Sequence, residues 1–390
     1  MQADHAAAAF ERAYGRRPDR VFFAPGRVNI IGEHLDYNGG HVMPAALTLG
    51  AGLAVGAGQP GVFRMRSENM PELGTVACPV NGTADFDGPG WARYPVGIIH
   101  GAMAMGAEMP PADMLFCSDL PLGAGLSSSA AITVATALSV MALSGLELDK
   151  LALARLAMRT EKDYVGLSCG IMDPYSSLFG RAGEAMLIDC ETDTHSYIPL
   201  TLGAYALAIA YTGKPRQLVG SLFDIRAEEC RMALEIVRRE RPDLGTLCKL
   251  HPDELPGLEH LFDEAPLLFA RMRHVVSENR RVADATEAFM IGDIEWLSGL
   301  FADSHRSLRE DYEVSCHELD SFVEALLACR GVAAARMTGA GFGGCLVALV
   351  RRDGMEDALE DAAALYYEKT GLKAQFYSGE VGDGAREFVL

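Results

Sequence analysis

Residues 120–146 limit most strongly what this chain can fold into, because they include no charged side chain. The first part, LPLGAGLSSSAA, holds Gly123 and Gly125, which let backbone N–H groups crowd around an anion, and three serines whose hydroxyls stand where a helix begins. Residues 130–143 are almost wholly apolar and predict a buried helix whose positive dipole end faces this loop. The loop suits a phosphate group, although an N-capped buried helix after a glycine turn explains the same residues.

A membrane span is the other interpretation of so long an uncharged segment. Pro121, two glycines and three serines occupy its first third. They leave only about 14 continuous apolar helical residues, which is the length of a buried helix in a soluble protein.

Composition excludes several classes of partner. The net charge is −19 and no basic run is longer than a pair, so we expect neither a nucleic-acid nor a membrane partner. The nine cysteines show no CxxC spacing, which argues against a disulfide framework or a structural zinc site and favours a reducing, cytoplasmic location. The N-terminus lacks the apolar segment of a signal peptide and predicts a short helix.

The order of predicted elements indicates an α+β chain of two domains, 1–200 and 201–390, which we expect to act as a monomer. Residues 27–42 are predicted to fold back as a hairpin-like unit, because Asn38-Gly39-Gly40 is a turn signal. The remaining predictions are strands at 20–23, 27–31, 42–55, 114–117, 202–211, 333–337, 345–350 and 374–378, helices at 130–143, 149–165, 221–238, within 266–327 and at 355–370, and a loop at 242–258.

A second segment, APGRVNIIGEHLDY at residues 24–37, concentrates charged side chains. Glu33 and Asp36 can accept hydrogen bonds from hydroxyl groups, which is how proteins commonly hold polyols, and Arg27 can face a developing phosphoryl charge. An ion-paired surface hairpin would need the same residue types.

The third segment, TGAGFGG at residues 338–344, contains the spacing G-x-G-x-x-G. A nicotinamide or flavin dinucleotide site would need a helix to open at its third glycine, whereas residues 345–350 form a β-type run. We therefore reject an oxidoreductase. The glycine turn either brings its backbone close to a ligand or is simply a tight hairpin, and the residues alone slightly favour the hairpin. The chain also has no Walker A motif.

Two carboxylates are candidates for chemistry outside these segments. Asp173 follows an apolar pair in CGIMDP, a segment predicted to be irregular, where burial would tune the carboxylate as a general base. Glu161 lies near the end of the predicted second helix and can join a serine hydroxyl on Mg²⁺. Taken singly, Asp173 is better explained as a turn or cap residue and Glu161 as a residue of a solvated helix face.

Together the three segments, in this order, resemble the GHMP small-molecule kinases, and among them the galactokinases, along nearly the full chain. Lesser matches include WARY from Trp91 and HVVSENRRV from His274. The resemblance implies an N-terminal domain like the second domain of ribosomal protein S5, a C-terminal ferredoxin-like domain and an active site in the cleft between them.

The resemblance also implies the roles of individual residues. Asp173 and Arg27 would be catalytic, and Ser129 and Glu161 would hold Mg²⁺. The residues implied to contact ATP are Ser67, Gly123, Ala124, Gly125, Leu126, Ser127, Ser128 and Ser129. Those implied to line the sugar pocket are Glu33, His34, Leu35, Asp36 and Phe223.

Three positions depart from the galactokinase pattern: Leu35 replaces a threonine, Pro174 a glutamine and Phe223 a tyrosine whose hydroxyl would touch the sugar. The expected activity is transfer of the ATP γ-phosphate to the C1 hydroxyl of galactose. A related sugar, such as L-arabinose or N-acetylgalactosamine, is the alternative. A non-catalytic sugar sensor would carry a damaged phosphate loop, whereas the loop here is complete.

Overall fold

The computed structural model describes residues 3–121, 123–167, 169–215 and 222–389. The α-helices in these ranges are α1 (Ala3–Tyr14), α2 (Gly90–Ala104), α3 (Ser128–Ser144), α4 (Lys150–Arg159), α5 (Met172–Phe179), α6 (Leu222–Arg238), α7 (Leu255–Leu258), α8 (Pro266–Ile291), α9 (Ile294–Glu310), α10 (His317–Ala328) and α11 (Met355–Thr370). The strands are β1 (Arg20–Asn29), β2 (His41–Val42), β3 (Pro44–Ala57), β4 (Val62–Ser67), β5 (Val76–Pro79), β6 (Ala112–Ser118), β7 (Glu184–Asp189), β8 (Thr194–Pro199), β9 (Tyr205–Tyr211), β10 (Val332–Met337), β11 (Cys345–Arg351), β12 (Gln375–Ser378) and β13 (Arg386–Phe388).

A six-stranded mixed sheet, ordered β13-β1-β3-β6-β4-β5, forms the centre of the N-terminal half. Strand β1 is buried along almost its whole length because α3 and α5 cover one face of the sheet and α1 packs against it through a separate apolar cluster. The predicted fold-back of residues 27–42 is confirmed, since Asn29 lies opposite Pro44 in the antiparallel β1–β3 pair. Strand β2 pairs instead with β7, in a three-stranded sheet with β8.

The predicted buried helix is α3. Its apolar side chains surround the helix on all sides, which fits a position between the sheet and the helices α2, α4 and α5. Gly145 ends α3 in a left-handed conformation, as expected of a glycine C-cap. The second predicted helix is interrupted, because α4 passes into a π-helical turn at Thr160–Val165.

The C-terminal half contains an antiparallel sheet ordered β10-β11-β9-β12. This order is the split β-α-β arrangement of a ferredoxin-like domain, with β11 inserted between β9 and β10. Helices α6 to α10 fill the long connection from β9 to β10. Predicted helix 221–238 begins at Leu222 in the described chain; Ser221 lies outside the described residues.

Two features of the chain path differ from the sequence prediction. The final strand β13 returns to pair with β1, and Val381 bridges Leu47, so a division at residue 200 does not separate two continuous halves. The predicted loop at 242–258 contains short helical turns, including α7. The sequence pattern also fails to predict α2, because Pro95 stands inside this helix.

None of the helices in the described ranges has both the length and the apolar character that a bilayer span requires.

Candidate active site

Strand β1 and the glycine-serine loop touch at Gly26. The register of β1 on β3 shifts between Pro25 and Arg27, and the Arg27 N–H donates to the Leu126 carbonyl at 3.2 Å. A Cβ atom on Gly26 would overlap that same carbonyl oxygen. Glycine is therefore required here, because only a residue without a side chain lets the strand contact the loop.

Arg27 and Asp173 form a partly buried ion pair beside this contact. Arg27 Nε and Nη2 lie 2.8 and 2.7 Å from Asp173 Oδ1, and Nη1 donates to the Gly125 carbonyl at 2.8 Å. Asp173 lies in the first turn of α5, so the prediction of an irregular segment is wrong. Pro174 permits this helix because a first-turn N–H needs no intrahelical acceptor. The guanidinium thus joins the loop to the carboxylate.

Ser127 completes this arrangement. It has a left-handed φ of 60°, unusual for a residue other than glycine, and its hydroxyl donates to Asp173 Oδ2 at 2.6 Å. The hydroxyl is therefore directed at the carboxylate, and α3 begins without a side-chain cap. The first N–H groups of α3 can consequently serve an anionic ligand.

A pair of oxygen donors lies on the other side of the loop. Ser129 Oγ is 3.4 Å from Glu161 Oε2. Glu161 is buried on the π-helical turn, which places its carboxylate beside the start of α3. A hydroxyl and a carboxylate are the donor types that a hard cation such as Mg²⁺ accepts, so the two side chains fit that ion.

Asp36 lies next to Asp173 at the opposite end of the site. Burial and the Asp173 carboxylate raise the pKa of Asp36 to about 6, and Arg27 offsets only part of this effect. Gly170 lies against it, because a Cβ there would overlap Asp36 Oδ2. Asp36 is thus an acceptor whose ionisation is opposed by a second carboxylate.

An aromatic cluster adjoins Asp36. The His34 ring nitrogen Nδ1 lies 2.8 Å from the Tyr37 hydroxyl, which in turn lies 2.8 Å from the Tyr312 hydroxyl. Phe223 packs on this group, with ring centroids 5.6 Å from His34 and 5.0 Å from Tyr37. Phe223 therefore presents an apolar surface beside a polar network.

Glu33 has a different environment from the one the sequence suggests. Its carboxylate forms a buried ion pair with Arg336 and accepts a hydrogen bond from Gly339 N–H at 3.1 Å. Burial raises the pKa of Glu33 in spite of Arg336. Both carboxylate oxygens are engaged within the protein, so Glu33 connects the two halves of the chain. Glu33 also lines the cleft.

The third glycine-rich segment is a turn between β10 and β11, as predicted, and no helix follows it. Gly339, Gly341 and Phe342 have positive φ values there. Thr338 Oγ1 donates to the Asn29 carbonyl at 2.7 Å and fixes the turn to the end of β1. The rejection of a dinucleotide fingerprint is confirmed, because a strand stands where that fingerprint needs a helix.

These side chains share one cavity of about 300 Å³. The predicted site residues that line it are Arg27, Glu33, His34, Asp36, Ser67, Gly123, Gly125, Ser127, Ser128, Ser129, Glu161, Asp173 and Phe223. Three others do not reach it with their side chains: Leu35 and Ala124 are fully buried in the core, and Leu126 is 2% exposed. The structure thus brings segments separated by more than 150 residues into one cleft.

Comparison with known proteins identifies the family. The galactokinase galactose-binding signature matches residues 8–57, and the N-terminal and C-terminal domains of GHMP kinases match residues 94–181 and 285–369. A galactokinase of Exiguobacterium sibiricum is 40% identical over 97% of this chain and 96% of its own length. That of Bacillus subtilis is 38% identical over 97% of each. The chain belongs to the galactokinase family.

Solved structures agree with this assignment. The galactokinase of Lactococcus lactis, determined in complex with galactose, superimposes with a TM-score of 0.94 at 35% identity, covering 98% of this chain and 99% of that one. A mevalonate kinase shares the fold, with a TM-score of 0.63 at 18% identity, over 94% of this chain and 98% of that one. The predicted two-domain GHMP kinase fold is confirmed.

The sequence did not reveal one wall of this galactokinase-family cleft. Apolar and aromatic side chains from three separate elements and the segment after β4 line the cavity together with Ser67; they are Met70, Trp91, Tyr94, Phe116 and Ile132. The WARY match includes Trp91 and Tyr94, but no sequence spacing links these two residues to the other three. An apolar, aromatic wall of this kind suits a planar ring.

Proposed function

We propose that this chain transfers the γ-phosphoryl group of ATP to the C1 hydroxyl of galactose. The observation that carries the proposal is the contact of Asp173 with both Arg27 and Ser127, at the start of α3 and beside Asp36. A carboxylate, a guanidinium and an uncapped helix start in one cleft are the groups that phosphoryl transfer requires.

In the proposed reaction the C1 oxygen of the sugar bonds to the γ-phosphorus, and the bond from that phosphorus to the β–γ bridging oxygen breaks. Asp173 accepts the hydroxyl proton, and ADP leaves. Arg27 orients Asp173, lowers the pKa of the sugar hydroxyl and faces the charge that develops on the phosphoryl group. The bond from Ser127 to Oδ2 further fixes the carboxylate.

ATP would bind along the loop at 123–129, with its phosphates at the start of α3. Its base would lie against the apolar wall near Ser67, Trp91 and Phe116. Ser129 and Glu161 would hold Mg²⁺, which would neutralise charge on the phosphates. Leu126 and Ala124 would take part only through their backbones, because their side chains are buried.

The sugar would bind at the Asp36 end of the cleft. Asp36 would accept hydrogen bonds from two hydroxyls, while His34 and Phe223 would form the adjoining wall. Glu33 would position the pocket by holding Arg336 and Gly339, and Leu35 would contribute its backbone only. Phe223 offers no hydroxyl, so a related aldose is the alternative substrate.

We also propose that the protein acts as a monomer in the cytoplasm. The described residues of one chain supply every group invoked for catalysis. They include all nine cysteines, none of which forms a disulfide, as expected in a reducing compartment.

A coupled assay of ADP release over a panel of sugars tests the function. We expect turnover with galactose, and Asp173→Asn should lower kcat by about 10²–10⁴-fold because the general base is lost. Asp243→Asn is the matched control, since Asp243 is exposed outside the cleft. Near-normal kcat in Asp173→Asn would contradict the assignment of the base. Turnover of other aldoses without turnover of galactose would favour the alternative substrate.

Phe223→Tyr tests the specificity of the same pocket. A neutral hydrogen bond contributes roughly 0.5–1.5 kcal/mol, so Tyr should improve kcat/KM for galactose by about threefold to tenfold relative to a deoxygalactose, N-acetylgalactosamine or L-arabinose. If every ratio stays unchanged, position 223 does not face the sugar.

A further inference from the structure

We propose that His5, Glu68 and Cys117 bind a divalent transition metal of the Zn²⁺ type. The His5 ring nitrogen, a Glu68 carboxylate oxygen and the Cys117 sulfur all lie within 4.8 Å of one another. No sequence motif announces them, because they come from α1, from the residue after β4 and from β6. The inference does not depend on the proposed function.

Two of the three ligands stand on a rigid base. Strands β4 and β6 are parallel neighbours, with Ser67 opposite Phe116. The Glu68 N–H donates to the Phe116 carbonyl at 2.8 Å, which fixes Glu68 beside Cys117. Metal binding at this end of the sheet therefore needs little backbone rearrangement.

The third ligand is brought to them by helix α1. Ala6 and Phe10 of this helix are completely buried in an apolar cluster that also contains Leu115 and Cys117. Burial of that face sets the position of the helix on the sheet and leaves His5 at its exposed edge. The site is thus assembled by packing, without dependence on the metal.

The ligand atoms have the chemistry that Zn²⁺ prefers, namely imidazole nitrogen, carboxylate oxygen and thiolate sulfur. His5 Nε2 lies 2.6 Å from Glu68 Oε2, whereas Arg12 Nη2 donates to the other oxygen, Oε1, at 2.8 Å. Arg12 therefore orients the carboxylate and leaves Oε2 directed at His5. This is the common arrangement in which an outer partner holds a metal ligand.

Metal binding requires a small local opening. Bonds of about 2.0–2.3 Å in a tetrahedron place ligand atoms roughly 3.3–3.6 Å apart, so His5 and Glu68 must separate by about 1 Å while the sulfur moves closer. The Cys117 thiol loses its proton to solvent as the metal–sulfur bond forms, and water supplies the fourth ligand. Cys117 belongs to the apolar cluster that α1 covers, so the metal would hold α1 against this face of the sheet.

The test is a Co²⁺ titration of the nucleotide-free protein in excess Mg²⁺, followed by absorption spectroscopy. We expect one equivalent of Co²⁺ to produce tetrahedral d–d bands and a sulfur-to-cobalt charge-transfer band, and Zn²⁺ to displace it. His5→Gln and Glu68→Gln should each weaken Co²⁺ affinity by more than about tenfold, and Cys117→Ala should abolish the charge-transfer band.

Two matched variants serve as controls. His260→Gln removes another exposed histidine that pairs with a glutamate, and Cys169→Ser removes the sulfur that lies on the cleft near Asp173. Both should leave the spectrum unchanged. Loss of the band in Cys169→Ser, or an unchanged affinity in His5→Gln, would overturn the proposal. His5 is exposed, so that variant decides the matter even if Cys117→Ala does not fold.

Discussion

Replacement of Asp36 by Asn should stabilise the protein at pH 8 while it impairs activity. Asp36 is ionised at that pH beside the Asp173 carboxylate, in a site where burial already disfavours its charge. Asn has nearly the same shape and carries no charge. The substitution therefore removes a repulsion from the folded state and leaves the packing against Gly170 intact.

The size of the effect follows from the pKa. The pKa of Asp36 is raised from 3.8 to about 6, and at about 1.36 kcal/mol per pKa unit the ionised group costs roughly 3 kcal/mol of folding free energy at pH 8. Because the folded pKa exceeds the unfolded one, the contribution of Asp36 to stability is fully present below pH 3.8 and is lost as the pH rises through about 6. At pH 5 the advantage of Asn should fall to about half.

Urea unfolding of both proteins at pH 8 and pH 5 measures this difference. Asp243→Asn removes an exposed charge and controls for net charge. An Asp36→Asn protein that is less stable than the parent at pH 8, or an advantage that does not shrink at pH 5, would refute the reasoning.

The same variant tests the proposed sugar contact. A hydrogen bond to a charged group contributes roughly 1.5–3 kcal/mol, so kcat/KM for galactose should fall by at least about tenfold in Asp36→Asn. In the parent protein, kcat/KM should decline as the pH drops below about 6, because protonated Asp36 loses acceptor capacity. Equal kcat/KM in the two proteins would show that Asp36 does not hold the sugar.

Three further variants examine other parts of the structure. Glu161→Ala should raise the Mg²⁺ concentration needed for half-maximal activity without changing the KM for the sugar; an unchanged Mg²⁺ titration would exclude it as a metal ligand. Gly26→Ala should raise the KM for ATP and lower the urea midpoint of unfolding, because its Cβ overlaps the Leu126 carbonyl. Gly90→Ala, with open space around it, is the control. If both variants behaved alike, the overlap at Gly26 would not explain the effect. Gly299→Ala, exposed inside α9, should raise the free energy of unfolding by about 0.5–1 kcal/mol, measured by urea denaturation; a loss of stability would contradict this expectation.

Local sequence patterns were sufficient for the main elements and for the chemical types in the site. The apolar run after the serines predicts α3, and the β-type run after Gly344 separates the third segment from a dinucleotide fingerprint. Such patterns act within about ten residues, since periodicity, turns and caps depend on neighbours along the chain. The same local rules misjudged Asp173, because Pro174 is compatible with the first turn of a helix as well as with a loop.

The partners of the charged side chains depended on the tertiary structure. Packing directs Ser127 to Asp173, engages Glu33 with Arg336, and places Asp36 close enough to Asp173 to change its pKa. The sequence by itself determined which residues can carry charge, accept protons or turn the backbone. Only the fold decided which of them meet, because distances between side chains far apart in sequence are set by how helices and strands pack.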